Sequence, residues 1–128
     1  MRLLLTLLAA AALAGSAYAQ EWRNAPEYDV LLTSYDIVPG TIRLKAGEPV
    51  RLRFVNNSNQ KHDFSARAFF RAAQLRRRDA RLVADGKLEL PPLATETIVL
   101  VPKAGRYRIA SSNYLHRVLG MTGTIVVE

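Results

Sequence analysis

The residues of this chain that could do chemistry are few. Its histidines are His62 and His116, its methionines Met1 and Met121, and it has no cysteine. His116 and Met121 fall in one short stretch, "SSNYLHRVLGMTG" at residues 111–123, with Gly120 and Gly123 around the methionine. Neutral imidazole is the ligand form of histidine, available at neutral pH from an unperturbed pKa of about 6.5. Imidazole and thioether together suit copper, and the thioether favours copper(I). The plainer role for the same residues is a hydrogen-bonded histidine in a core or loop and a methionine that fills space. No constellation for catalysis accompanies them. There is no cysteine nucleophile and no glycine-rich phosphate loop, and nothing pairs Ser111 or Ser112 with a base and an orienting group, so an enzyme is not expected.

These residues need elements to position them, and the surrounding patterns are those of strands. In "TIRLKAGEPVRLRFVNNS" (41–58), Ile42, Leu44 and Ala46 alternate with Arg43 and Lys45, and Val50, Leu52 and Phe54 alternate with Arg51 and Arg53. Period-two alternation predicts two half-buried strands, joined like a hairpin by a turn at Gly47-Glu48. An interrupted strand is expected over 28–37, and short strands over 87–92 and 95–102 with prolines at their ends, where prolines are tolerated. Residues 105–112 alternate again, and 123–128 read as a buried closing strand. The one helical pattern is 67–78, "RAFFRAAQLRRR", with an apolar stripe from Ala68, Phe69, Ala72, Ala73 and Leu75. Regular short strands with one helix among them predict an all-β fold, an antiparallel sandwich with one short helix.

The first residues have a different character. "MRLLLTLLAAAALAGSAYAQ" has a positive start at Arg2, an apolar run over 3–14 and a small-x-small signal at Ala17-Tyr18-Ala19. That layout predicts a secretory signal peptide over 1–19, of bacterial type, ahead of one domain over 20–128. The apolar run is short for a membrane span, and no cysteine stands at the cleavage point to take a lipid. A domain of this size can bury its own core, and here it does so without disulfides. The net charge is +7, or +6 once Arg2 leaves with the leader. Such a surface favours acidic partners and anionic headgroups; an exported protein is not expected to meet nucleic acid.

At this point the sequence resembles the cupredoxins, the small Greek-key sandwiches that include plastocyanin and azurin. The resemblance covers roughly residues 30–128. "IVPGTIRLKAGEPVRLRFVNNSNQKHDF" looks like the family's first half and "GRYRIASSNYLHRVLGMTGTIVV" like its second. It implies a Greek-key β-sandwich and a bacterial periplasmic setting. It also implies a copper site, in which one histidine from the first half joins a cysteine, a histidine and a methionine before the last strand. Carried over, the first histidine is His62, the second His116 and the methionine Met121. The cysteine position holds Ser111, or Asn113 if counted back from the histidine; neither is a thiolate. A blue electron-transfer site uses His₂Cys ligation with a weak axial Met, and a serine hydroxyl is neither ionised near neutral pH nor soft. The expectation is therefore a copper(I) site of two histidines and one methionine, in copper handling and not in blue-copper electron transfer. Asp63 and Asn113 are candidates to orient an imidazole, or turn residues bonding locally. Gly120 and Gly123 are expected in tight turns.

One further feature is basic. Arg67, Arg71, Arg76, Arg77, Arg78 and Arg81 lie close together around Phe69 and Phe70. Arg76, Arg77 and Arg78 are the candidate docking residues for an acidic periplasmic protein or a membrane surface, and a solvated helix face is the simpler role. A metal-free sandwich acting through this segment is the alternative to copper binding, and a monomer is expected in either case. The sequon at Asn56-Asn57-Ser58 is read as chance.

Overall fold

The computed structural model describes residues 22–111 and 121–128. The leader at 1–19 and the loop residues Ser112, Asn113, His116 and Gly120 lie outside the described residues. Among the described residues, ten strands form two five-stranded sheets. The first contains β1 (Glu27–Leu32), β2 (Ile37–Val38), β4 (Val50–Asn56), β6 (Gln74–Leu75) and β8 (Thr95–Val101), in the order β2-β1-β4-β8-β6. The second contains β3 (Thr41–Leu44), β5 (His62–Ser65), β7 (Lys87–Leu90), β9 (Gly105–Ser111) and β10 (Met121–Val127), in the order β3-β10-β9-β5-β7. The sheets face each other across an apolar core, a β-sandwich as the alternation predicts. Val50, Leu52, Phe54 and Asn56 all turn inward from β4, because successive side chains on a strand leave by opposite faces.

The hairpin expected at Gly47 is not one. β3 pairs parallel with β10, whereas β4 lies in the other sheet, parallel to β1 and antiparallel to β8. The Gly47 turn therefore carries the chain from one sheet to the other. Its backbone donors serve that passage: Ala46 N bonds Glu128 O at 2.9 Å and Gly47 N bonds Pro102 O at 3.0 Å. Gly47 has φ +77°, the left-handed region in which glycine is at ease.

The helix expected over 67–78 is divided into α1 (Arg67–Ala72), β6 and α2 (Arg77–Ala80). Ala73 turns extended, and Gln74 and Leu75 pair with Val101 and Leu100 at the edge of β8. Tertiary pairing overrides a helix-compatible sequence here. α1 buries Phe69 and Phe70, and the ring centroids of Phe54 and Phe64, Phe64 and Phe70, and Phe69 and Tyr107 are 4.7, 6.2 and 5.4 Å apart. These spacings are those of favourable edge and tilted aromatic pairs.

Past β6, one carboxylate continues the pairing of β8. Asp79, with its side chain 1% exposed, accepts Val99 N–H at 2.9 Å and Arg76 Nε–H at 2.7 Å on the same oxygen. Arg76 N in turn donates to Val99 O at 3.4 Å. Among the described residues, no helix is long and apolar enough to cross a membrane.

Candidate metal centre

The site begins at the loop that delivers β5. Asn56 ends β4 in the inward phase, where an apolar residue would otherwise stand, and it is 1% exposed. Its Nδ2 donates among Gln60 O at 2.8 Å, Pro91 O at 2.9 Å and Leu90 O at 3.1 Å. Ser58 Oγ donates to Asn56 Oδ1 at 2.8 Å. Those bonds tie the 57–61 loop to the end of β7, and so fix where β5 starts. β5 starts at His62. Asn56 and Ser58 are positioning residues that the motifs did not single out; the available signal was a polar residue in the inward phase of an alternating strand.

His62 is fully buried, and its Nδ1 lies 3.4 Å from Ser111 Oγ. That distance is at the long end of hydrogen bonding. Ser111 ends β9, 2% exposed, and pairs directly across the ladder with Met121, the first residue of β10, 6% exposed. Met121 therefore heads a strand and does not sit in the loop. His62, Ser111 and Met121 are thus brought together on three strands, at one end of the second sheet and facing inward. His116, the fourth residue of the expected set, lies outside the described residues.

Neighbouring expectations resolve differently. Asp63 sits in β5 between two buried residues, in a strand and not a turn, and its side chain leaves by the face opposite that of His62. Gly123 lies within β10 and not in a turn. A Cβ there would meet Gly40 O at 2.8 Å, and Thr124 N bonds that same oxygen at 2.9 Å, so the glycine permits a close backbone approach. Of the arginines, Arg76 is only 23% exposed and held by Asp79, Arg78 is 79% exposed with Nε 3.8 Å from Asp79 Oδ1, and Arg77 is exposed.

The donors on these neighbouring positions are the imidazole of His62, the hydroxyl of Ser111 beside it and the thioether of Met121, the ladder partner of Ser111. Among the described residues no group of three or more His, Cys, Asp or Glu side chains could hold a metal. Carboxylate-rich sites for hard cations, and thiolate sites, are therefore not formed by these residues. Imidazole and thioether together fit copper, with preference for the cuprous ion.

A two-sheet Greek-key sandwich with a histidine, a serine and a methionine at one end is a cupredoxin arrangement without the thiolate. The profile of the cupredoxin-like domain matches residues 4–127, and the chain belongs to that family. Among solved structures it is similar to auracyanin B, with 20% identity over 81% of this chain and 89% of that one and a TM-score of 0.57. It is similar also to the dithionite-reduced auracyanin of the photosynthetic bacterium Roseiflexus castenholzii, with 15% identity over 81% and 97% and a TM-score of 0.57. No curated protein matches the chain. The family is one of copper proteins, and this member has no cysteine with which to make its usual centre.

Proposed function

We propose that this protein is exported to the bacterial periplasm and there binds copper(I) through His62, His116 and Met121, as a carrier that holds or hands on the ion. The observation that carries the reading is the convergence of His62, Ser111 and Met121: the imidazole Nδ1 faces Ser111 at 3.4 Å, and Met121 stands opposite Ser111 on the next strand. Residues 112–120, which include His116, join those two positions in the chain. With serine in place of the thiolate the site lacks the soft anionic ligand of a blue centre. A neutral imidazole and thioether set holds the cuprous ion more readily than the cupric one, which suits a cargo site and not a tuned redox couple. The export signal and the family's setting support the periplasm.

The test is an anaerobic copper(I) competition titration of the protein beside His116→Ala and Met121→Ala. One-to-one binding weakened by both substitutions is expected; equal behaviour of all three proteins overturns the reading. The alternative, a metal-free sandwich that docks an acidic protein or membrane through its basic segment, draws on the exposure of Arg77 and Arg78. Reversing both charges tests it: under this alternative, binding to periplasmic extract or anionic vesicles is then lost, and the unsubstituted protein takes up no copper(I).

A further inference from the structure

From a cavity beneath α1 we infer a second binding site, for a small organic anion: a carboxylate or phosphate ester on a short apolar body. The cavity is about 410 Å³, within the range of about 300–1,000 Å³ usual for small-molecule sites. Arg67 and Arg71 stand at its rim, and Phe70, Leu75 and Val83 contribute apolar lining. Phe70 and Val83 are buried core residues, so the floor is fixed by the sandwich.

The two arginines set the ligand's charge. They are four residues apart on one helix, where like charges repel, and among the described residues neither makes a salt bridge. Arg67 Nη2 reaches only Asp85 O, at 3.5 Å. Asp85 also lines the cavity, which leaves one positive charge in excess across the three side chains. Guanidinium groups take carboxylate or phosphate oxygens in forked hydrogen bonds. An anion beside them relieves the repulsion, and a short apolar body finds its contact on the partly exposed Leu75.

The rim is built and not incidental. Gly86, at φ +79°, lies so close beneath Arg67 that a Cβ would meet Arg67 Cβ at 2.7 Å, and Gly86 O accepts Ala66 N–H at 3.0 Å. The start of α1 is thereby clamped against the chain at 85–86. This site uses Arg67 and Arg71, whereas Arg76 is committed to Asp79, and it lies on different elements from His62, Ser111 and Met121. It does not depend on copper binding.

The test is an amide NMR titration of the protein with octanoate, beside octanol, inorganic phosphate and phosphatidylglycerol vesicles. Saturable shifts confined to Arg67–Ala72 and Val83–Gly86 are expected with octanoate, with weaker ones for phosphate. The Arg67→Gln, Arg71→Gln double variant should bind octanoate about tenfold or more weakly, and Arg77→Gln, Arg78→Gln should bind as the parent does. The site is overturned if octanoate shifts none of these amides, or if octanol binds equally well. It is overturned also if both double variants lose binding alike, or if vesicles bind while free octanoate does not. The location of the shifts in the unsubstituted protein decides the matter even if a variant fails to fold.

Discussion

His62 Nδ1 and Ser111 Oγ face each other at 3.4 Å across neighbouring strands, both sealed from solvent. If Ser111 holds the family's cysteine position, a thiolate there would lie beside the His62 imidazole, as His₂Cys copper ligation requires. Ser111→Cys exchanges one small buried side chain for another and should fold. It should also acquire an intense thiolate-to-copper absorption when cupric ion is added, while the parent stays colourless. A colourless cysteine variant would show that His62 and position 111 do not share a metal.

Met121 separates packing from ligation. It is buried against the core cluster, so Met121→Ala should cost about 2–5 kcal/mol of stability in denaturant unfolding. Met121→Leu keeps the volume and should cost less than about 1.5 kcal/mol, yet it removes the sulfur. If the thioether is a ligand, the leucine variant loses copper(I) affinity by about tenfold or more while its unfolding midpoint hardly moves. Unchanged affinity in Met121→Leu would leave the methionine a packing residue only.

Asn56 holds the loop before His62 by donating to carbonyls of Gln60, Leu90 and Pro91. Asn56→Asp is nearly isosteric but offers only acceptors, and it should destabilise the protein at neutral pH by at least about 2 kcal/mol. Asn56→Ala leaves three carbonyls without their donor and should fall in the same range. Chemical denaturation of both variants checks this; an aspartate variant as stable as the parent would mean that the loop is fixed by other contacts.

Asp79 carries the buried pair with Arg76. Asp79→Ala strands a partly buried guanidinium and uncovers Val99 N–H, and the expected loss is about 3 kcal/mol. Asp79→Asn retains an acceptor for that N–H and should lose less. Equal stability of alanine and asparagine variants would deny the carboxylate its place at the strand.

Much of this was legible in the residues, and the failures have physical causes. Alternation gives the inward faces of β3 and β4 correctly, since Ile42 and Leu44, then Leu52 and Phe54, are all buried. It cannot say which sheet a strand joins, and the Gly47 turn proved to be a crossing because its donors bond Glu128 and Pro102, far along the chain. Nothing local breaks the 67–78 helix at Ala73; the break comes from pairing with β8, which a single segment does not record. An acid within a run of arginines was the only trace of Asp79. The meeting of His62 with Ser111 followed from resemblance to a family, and period-two patterning alone carries no such information.

The arginine-rich segment has a role that its charge does not suggest. A strand at the rim of a sheet offers unpaired N–H and C=O groups to any passing chain, and this is how sandwiches come to associate edge to edge. At the Val99–Val101 end of β8 those groups are taken in turn by Gln74 and Leu75, by the backbone of Arg76 and by the carboxylate of Asp79. The segment is therefore a guard against strand addition, and the exposed arginines beside it add repulsion between like copies. In a protein with no disulfide to hold it closed, that cover of the strand end rests on packing and hydrogen bonds alone.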